Sequence, residues 1–226
     1  MRGRNGWSWR VGYTRMADKD EEARPIRLRA DFDGGAAAAD IPPGKIEPGK
    51  IEMIITYLEM RTRPTRAAVT TPALKLALLR AERPTVAFYR FLYDMVGGPW
   101  LWYERRLLDD RALAAIIEDP RVAVYVLYVA GVPAGYAELD RRVEGEVELA
   151  YFGLMPEFTG RGLGPYLLDR AVELAWRGDP TRVWVHTCNL DHPAALGVYQ
   201  RAGFSVYRRS RELIDDPRRV GAGGPA

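Results

Sequence analysis

The sequence predicts an α+β fold, because two kinds of apolar pattern alternate along it. Residues 122–155 contain three segments with period-two alternation, divided at Gly131 and at a charged turn, which is typical of a meander of antiparallel strands. Residues 85–96 and 110–118 before them, and 163–176 after them, instead repeat apolar side chains every three or four positions, as amphipathic helices do. A sheet flanked by helices follows from this order.

Further strands and one more helix are expected on either side of this region. Residues 51–60 carry the first strong strand pattern, and residues 182–188 predict another buried strand. Residues 194–201 predict a helix that stops at Gly203, and residues 204–214 supply one or two terminal strands.

One folded domain is therefore expected over residues 51–214. Upstream, residues 1–50 mix arginine, glycine and acidic runs without a lasting apolar period, which predicts a disordered extension. Residues 215–226 are expected to form a C-terminal tail. Because Met53 lies at the edge of the first strand, the sequence leaves open whether residues 1–50 belong to the physiological protein.

The composition indicates a globular protein and speaks against several functional classes. Hydrophobic residues make up 47% of the chain and charged ones 28%, and 33 basic residues stand against 30 acidic ones, for a net charge of +3. Such a mixed surface lacks the dense positive field of a nucleic-acid-binding protein. There is no apolar stretch typical of a membrane span or a secretory signal, and Cys188 is the only cysteine, so we expect a soluble cytoplasmic protein without disulfides.

A glycine-rich segment lies between the third strand of the meander and the helix at 163–176. Gly160, Gly162 and Gly164 allow backbone N–H groups to approach a ligand without a Cβ in the way, and Pro165 suits the first turn of a helix. Unpaired N–H groups and the helix dipole favour an anion at such a helix start. The segment is therefore a candidate phosphate-binding turn.

Glycine-rich turns between a strand and a helix serve several purposes, and each purpose makes its own demand on the sequence. A tight loop that needs glycine only for positive φ is the simplest. A dinucleotide-binding fold would require G-x-G-x-x-G in an N-terminal βαβ unit, and a Walker-type loop would require Gly-Lys-Ser/Thr; neither pattern is present. The tight loop and a phosphate site of another kind remain open.

The segment resembles the phosphate motif of the GCN5-related N-acetyltransferases, Arg/Gln-x-x-Gly-x-Gly/Ala. Residues 159–164 match this motif, except that Thr159 stands where the family has arginine or glutamine. Residues 195–204, Ala-x-x-x-Tyr-x-x-x-Gly-Phe, resemble the late helix and turn of the same family. The resemblance covers residues 51–214 and implies the acyl-CoA N-acyltransferase fold, with three layers and a mixed, mostly antiparallel sheet that splays open after the strand ending near Met155.

The resemblance also implies that acetyl-CoA is the cosubstrate, and no metal is expected. The pantetheine arm would lie in the gap of the splayed sheet, and backbone N–H groups around Leu154 would stabilise the oxyanion of the acyl transfer. The residues that the resemblance assigns to cofactor binding are Leu154, Met155, Thr159, Gly160, Arg161, Gly162, Leu163, Gly164 and Asn189.

Two side chains are candidates for the proton transfers of amine acetylation. Tyr199 occupies the position of the family's general acid, and a phenol can protonate a departing thiolate. Glu148 aligns with the catalytic glutamate of the family's histone-modifying branch, and Glu146, Glu148 and Ala150 are expected on one strand face. The alternatives are a core tyrosine and a solvated row of charges. Acidic side chains here favour a cationic amine.

A second polar group in the sequence consists of His186, Cys188, Asp191 and His192. A Cys–His nucleophile or a metal site would use such residues, but a structural zinc site usually needs four cysteine or histidine ligands and the chain has three. Asp191 is instead expected to cap the helix that begins at Pro193. His186 is a candidate for lining the acceptor pocket.

The sequence thus predicts an enzyme that moves an acetyl group directly from acetyl-CoA to a primary amine of a small molecule or a protein. A non-catalytic acyl-CoA sensor or assembly module on the same fold is the alternative, because Thr159 departs from the family motif. Neither nucleic acid nor a membrane is expected as a partner. The acceptor and the oligomeric state, a homodimer included, stay open.

Overall fold

The structure is a computed structural model that describes residues 46–65 and 67–220. The predicted extension before residue 46, and residues 221–226 of the predicted C-terminal tail, lie outside the described residues. The strands are, in chain order, β1 (Lys50–Met60), β2 (Leu76–Ala81), β3 (Val122–Val129), β4 (Val132–Asp140), β5 (Glu146–Leu154), β6 (Arg182–Cys188) and β7 (Ser205–Asp215). The helices are α1 (Val86–Gly97), α2 (Asp110–Ile117), α3 (Leu163–Ala175), α4 (Ala195–Ala202) and α5 (Pro217–Val220).

These strands form one sheet in the order β2-β3-β4-β5-β6-β1-β7. Neighbouring strands are antiparallel except β5 and β6, which run parallel. Helices α1 and α2 pack on one face of the sheet, here the α1 face, and α3 and α4 pack on the other, the α3 face. The predicted three-layer α+β fold with a mixed, mostly antiparallel sheet is confirmed.

Turn and cap residues explain several element boundaries. Ala130 and Gly131 connect β3 to β4 with φ values of 51° and 87°, and two positive φ angles in a two-residue loop suit the type I′ turn of a twisted hairpin. Thr85 and Asp109 cap α1 and α2, each accepting a hydrogen bond from a backbone N–H in the first turn. Gly203 follows α4 in the left-handed conformation, in agreement with its predicted role as a stop.

The edge strand β2 is an element that the sequence pattern does not indicate. Its residues, Leu-Ala-Leu-Leu-Arg-Ala, favour helix and include no β-branched or aromatic side chain. They are extended because they pair with β3 along their whole length, from Leu76 opposite Val129 to Ala81 opposite Val124. Tertiary pairing therefore overrides local propensity at this edge.

Each face of the sheet has its own apolar core. On the α3 face, α3 buries a stripe of apolar side chains against the central strands, and α4 contributes Tyr199 and Ala202. On the α1 face the core is rich in aromatic side chains, namely Tyr89, Tyr93 and Tyr136 with the partly buried Trp102 and Tyr151. Among the described residues, none of the helices combines the length and the hydropathy that a membrane span requires.

A buried ion pair lies among the aromatic side chains of the α1 face. Glu138 on β4 is fully buried, and its carboxylate accepts a 2.6 Å hydrogen bond from Nη2 of Arg105 and another from the hydroxyl of Tyr89. The guanidinium carbon of Arg105 lies 5.0 Å from the ring centre of Tyr151. Because the two charges compensate each other away from water, removing either partner leaves an isolated buried charge.

We expect Glu138→Ala to lower the free energy of unfolding by about 3–5 kcal/mol, the usual cost of removing one partner of a buried ion pair. Asp94→Ala is the matched control, because the Arg106–Asp94 pair has a 2.8 Å contact while its side chains are 46% and 53% exposed. Exposed pairs contribute about 0.2–1 kcal/mol. Equilibrium denaturation measures both variants, and equal losses would contradict the role given to the buried pair.

Candidate active site

Strands β5 and β6 separate after a short parallel contact. Only residues 146–148 of β5 pair with residues 182–184 of β6. Beyond this contact β5 continues beside β4 as far as Leu154, whereas β6 continues beside β1 as far as Cys188. A V-shaped gap therefore opens between the two strands, and along it the inner edge of β5 has no strand partner among the described residues. The predicted splay of the sheet is confirmed.

A β-bulge in β5 determines which side chains lie on each face of the sheet beside this gap. Ala150 has no partner in β4, because the register shifts between the pairs on either side of it. The bulge interrupts the alternation of faces, so Glu148 and Tyr151 lie on the α1 face while Leu149 and Phe152 lie on the α3 face. Glu146, Glu148 and Ala150 are expected from the sequence to share one face. Because Ala150 is the bulged residue, that shared face ends at Glu148.

The predicted phosphate turn lies between β5 and α3. Gly160 and Gly162 have φ values of 72° and 74°, and Gly162 is the N-cap of α3. A Cβ built on either glycine would have no heavy atom within 4 Å, so the backbone here borders open space. The first turn of α3 carries no acidic side chain that would repel an anion. The turn is therefore open and has no carboxylate of its own that would repel an anion.

Thr159, which departs from the family motif, stabilises this turn. Its backbone N–H and its hydroxyl both donate to the carbonyl oxygen of Pro156, at 3.2 and 2.8 Å. The exposed guanidinium of Arg161 lies 5.5 Å from the ring centre of Phe158 and adds a positive charge beside the turn. The missing arginine or glutamine is thus replaced by a hydroxyl that supports the turn from within.

The end of β5 directs a backbone donor into the gap. The N–H of Met155 donates to the carbonyl oxygen of Ala134, at 2.9 Å, and therefore points toward β4. Because successive N–H groups along a strand point to opposite edges, the N–H of Leu154 faces the gap. The side chain of Met155 is buried in the core of the α1 face. Leu154 is thus suited to offer its N–H to a carbonyl oxygen in the gap.

Asn189 connects the end of β6 to β1. Its side-chain oxygen accepts from the N–H of Ile54 at 2.8 Å, and its side-chain nitrogen donates to the carbonyl of Glu52 at 3.1 Å. Its own N–H donates to the carbonyl of Ile54 at 3.2 Å. These contacts give Asn189 a structural role at the edge of the gap, and its assignment to cofactor binding stays a prediction.

Glu148 faces His186 at the start of the gap. Oε1 of Glu148 lies 3.3 Å from Nδ1 of His186, and the two side chains are 22% and 32% exposed. The ring centre of His186 lies 6.0 Å from that of Tyr57 and 6.1 Å from that of Trp184. Trp184 is also the last residue of β6 that pairs with β5, so His186 lies just beyond the apex of the V.

Opposing effects act on the pKa of His186. Burial of the imidazole lowers this pKa, whereas the Glu148 carboxylate and, more weakly, the charges of Glu104 and Asp191 raise it. The net result is a pKa above the ordinary histidine value. Three carboxylates therefore act on one imidazole, which makes this side of the gap favourable for a cation.

Tyr199 lies on the opposite face of the sheet, in the core of the α3 face. Its side chain is buried, and its ring centre is 6.0 Å from those of Phe152 and Phe204. Burial, together with the charge of Asp191, raises the pKa of its phenol well above the ordinary value, so the hydroxyl is protonated at neutral pH. The sheet face with Glu148 is thus opposite the face with Tyr199.

Asp191 links the end of β6 to the segment that follows α1. One carboxylate oxygen accepts from Nε1 of Trp102 at 3.0 Å, and the other accepts from the hydroxyl of Thr187 at 2.7 Å and the N–H of Cys188 at 3.0 Å. The N-cap of α4 is Ala194, without a side-chain hydrogen bond. The expectation that Asp191 caps this helix is therefore wrong, because these three donors engage its carboxylate instead.

The environment of Cys188 disfavours a nucleophilic thiolate. Burial and then the charge of Asp191 raise the pKa of the thiol to about 12. At neutral pH the sulfur is therefore protonated and weakly nucleophilic. In the part of the chain that the structure describes, no three His, Cys, Asp or Glu side chains are grouped so that they could hold a metal ion.

More than half of the chain matches the model of one protein family. The model of the acetyltransferase (GNAT) family matches residues 85–204, from the N-cap of α1 to the residue before β7. The chain belongs to the GNAT family. The resemblance inferred from the glycine turn and the late helix is thus confirmed.

Curated relatives of this GNAT protein are named as acetyltransferases. A mycothiol acetyltransferase of Acidothermus cellulolyticus is 39% identical over 75 residues, which are 33% of this chain and 21% of that protein. An uncharacterised N-acetyltransferase of Mycobacterium bovis is 29% identical over 99 residues, which are 44% of this chain and 63% of that protein. The matches span less than two thirds of each relative, so they support acetyl transfer in general without naming an acceptor.

Solved structures share the fold at low sequence identity. A GCN5-related N-acetyltransferase from Sphaerobacter thermophilus aligns with a TM-score of 0.54 and 16% identity, covering 73% of this chain and 54% of its own. One from Kribbella flavida aligns with a TM-score of 0.51 and 17% identity, covering 75% and 60%. At these identities the likeness shows the fold alone.

Two contacts of this site are not predicted from the sequence. Glu148 and His186 lie on separate strands, and only the parallel register of β5 with β6 brings them together. The hydrogen bond from Trp102 to Asp191 is the other. Gly97 is the residue whose identity relates to this second contact. A Cβ at position 97 would lie 2.2 Å from the Trp102 ring, so a glycine is needed there for the ring to take its place.

We expect Gly162→Ala to weaken the binding of CoA about tenfold or more, because its methyl group would project into the open space of the turn, and tenfold corresponds to about 1.4 kcal/mol. Gly178→Ala is the matched control, since Gly178 also has a positive φ, 88°, and open surroundings but follows the other end of α3. Titration calorimetry measures the affinity of each variant for CoA. Thermal denaturation measures the loss of stability that both variants are expected to show, because each places an alanine at a positive φ. Unchanged affinity in Gly162→Ala would contradict the phosphate site.

We expect the Cys188 thiol of the folded protein to resist iodoacetamide at pH 8, because burial raises its pKa to about 12 and keeps the sulfur protonated. The single cysteine makes the measurement simple, since mass spectrometry counts one label per chain. Protein unfolded in urea is the control and should be labelled rapidly. Equally rapid labelling of the folded protein would show that the thiol is not protected.

Proposed function

We propose that this chain acetylates a primary amine with acetyl-CoA as the acetyl donor, through the predicted domain of residues 51–214. The observation that carries the proposal is the position of the open glycine turn beside the gap between β5 and β6. An anion-binding helix start and an adjacent unpaired strand edge suit a ligand with a pyrophosphate at one end and an amide-containing arm at the other. Family membership supports the same donor.

The proposed roles of the side chains follow from their places around the gap. When bound, acetyl-CoA supplies an activated thioester. The N–H of Leu154 is suited to stabilise negative charge on the carbonyl oxygen during transfer. Glu148 attracts the amine and assists its deprotonation, and Tyr199 is the proposed proton donor to the leaving thiolate.

The acceptor class that we propose is a cationic primary amine, either of a small molecule or of a protein. Glu148, Glu104 and Asp191 together favour positive charge beside His186. The relative named for mycothiol matches over 75 residues only, so its acceptor is not assigned to this chain. The cytoplasm is the compartment we propose, in line with the single cysteine.

Titration calorimetry with acetyl-CoA, followed by a thiol-release assay on a panel of amines, tests this function. We expect saturable binding, and turnover on at least one amine that is cationic at neutral pH. Uncharged acetyl acceptors of similar size are the control, because they test whether the protein prefers a positively charged acceptor. Binding without turnover on any amine would favour the acyl-CoA sensor instead, and absence of binding would contradict both functions.

We expect Tyr199→Phe to lower kcat about 10²–10⁴-fold while the affinity for acetyl-CoA changes little, because the substitution removes a proton donor and leaves the ring in place. Tyr125→Phe is the matched control, since Tyr125 also packs against the core of the α3 face but lies on β3. Steady-state kinetics and calorimetry measure both quantities. Equal turnover in the two variants would remove Tyr199 from the mechanism.

A further inference from the structure

We propose that His186 is the group that takes the proton from the acceptor amine, and that Glu148 positions it from behind. This inference rests on the proposed function and changes the role of Glu148 from base to partner of the base. The observation that carries it is the 3.3 Å approach of Oε1 of Glu148 to Nδ1 of His186 just past the apex of the gap.

The two nitrogens of the His186 ring have different surroundings. Nδ1 is buried on the side of Glu148, at an ion-pair distance rather than in an aligned hydrogen bond. The side chain is nevertheless 32% exposed, and Nε2 is the nitrogen that we assign to the amine. A proton on Nδ1, facing the carboxylate, leaves the lone pair of the neutral ring on Nε2.

Imidazole is also the better matched base. Imidazoles are in general stronger bases than carboxylates and therefore better acceptors for the proton of an ammonium group. Tyr57 and Trp184 flank the ring and restrict its orientation. The Glu148 carboxylate then stabilises the imidazolium that forms, as a carboxylate does behind the histidine of a hydrolase triad.

Charged and titratable groups from each neighbouring element act on this ring. Glu148 comes from β5, Glu104 from the segment between α1 and α2, Asp191 from the turn after β6, and Tyr57 from β1. The three carboxylates all favour the protonated ring. Base catalysis therefore requires a pH above the raised pKa of His186, and turnover should fall as the pH decreases through it.

The proton and bond changes are balanced. Nε2 of His186 accepts one proton from the ammonium group, and the neutral amine attacks the carbonyl carbon of the thioester. The C–N bond forms, the C–S bond breaks with its electron pair on sulfur, and the thiolate takes a proton from Tyr199. The second amine proton leaves as the amide forms and restores Tyr199 through solvent, and the imidazolium releases its proton to water.

An NMR titration of the full chain tests the pair without requiring turnover. The sequence contains two histidines, so His192→Gln assigns both imidazole signals. We expect the His186 signal in the wild type to titrate above the ordinary histidine pKa, and Glu148→Gln to move its titration to lower pH. An ordinary value that Glu148→Gln leaves unchanged would overturn the proposal.

Kinetics on the same variants then test the base role. We expect His186→Gln and Glu148→Gln each to lower kcat at pH 7.5, His186→Gln by about 10²–10⁴-fold with KM for acetyl-CoA nearly unchanged. The double variant should be no slower than His186→Gln alone, because the two residues act as one unit. In Glu148→Gln the acidic limb of the kcat/KM profile should move to lower pH, and added imidazole should partly restore His186→Ala.

The outcomes separate this inference from the proposed function. If the wild type acetylates amines but His186→Gln keeps its turnover and its acidic limb, His186 is not the base and the inference fails alone. If Glu148→Gln lowers turnover while His186→Gln does not, Glu148 itself acts on the amine, and this result also overturns the base role of His186. If the wild type binds acetyl-CoA and acetylates no amine, the proposed function fails and the base role with it.

Discussion

The separation of β5 from β6 is the constraint on which the rest of the site depends. Two parallel strands would ordinarily pair along their length, yet these two pair over three residues each before their neighbours draw them apart. On one side the register with β4 reaches Leu154, and on the other the register with β1 reaches Cys188. The hydrogen bonds of Asp191 and Asn189 fix the end of β6 on its own side. The gap is thus built by pairing elsewhere in the sheet.

Close packing on the α1 face also holds strand β5 in place. A Cβ at Gly153 in β5 would lie 2.5 Å from Cγ1 of Val96, so the glycine allows α1 to press against the strand beside the gap. The Trp102 ring fits against Gly97 and reaches Asp191 beyond the gap. The buried pair of Glu138 and Arg105 lies among the same aromatic side chains. Helix α1, strand β5 and the end of β6 are therefore connected by close packing and by the hydrogen bond from Trp102 to Asp191.

The sequence predicts the elements whose pattern is local. Alternation, caps and glycine stops indicate helices α1 to α4 and most strands, whereas α5 lies in the segment predicted as a C-terminal tail. The glycine turn at residues 160–164 requires only a strand, a turn and a helix in succession. Strand β2 is different, because its composition favours helix and only the edge of β3 makes it extended. The β-bulge at Ala150 is likewise a property of the β4–β5 register and has no local signal. Features that depend on pairing between distant segments are thus not predictable from local pattern.

The same distinction between local pattern and pairing of distant segments applies to the residues of the candidate site. Glu148 and Tyr199 are identified by motif, but the structure adds that they lie on opposite faces of the sheet. The contact between Glu148 and His186 requires the parallel register. The network of Asp191 requires the segment after α1, so local pattern predicts a helix cap where the structure has a link between segments. Charges that converge from separate elements on one imidazole cannot be predicted from spacing along the chain.

A crystal structure of the complex with CoA would locate the ligand relative to the gap and so test the proposed site as a whole. We expect the pyrophosphate to accept hydrogen bonds from the backbone N–H groups of residues 160–164. We also expect the sulfur to lie in the gap between β5 and β6, with His186 on one side and Tyr199 on the other. A ligand bound elsewhere on the chain, or strands β5 and β6 that pair along their length in the complex, would contradict the proposed site.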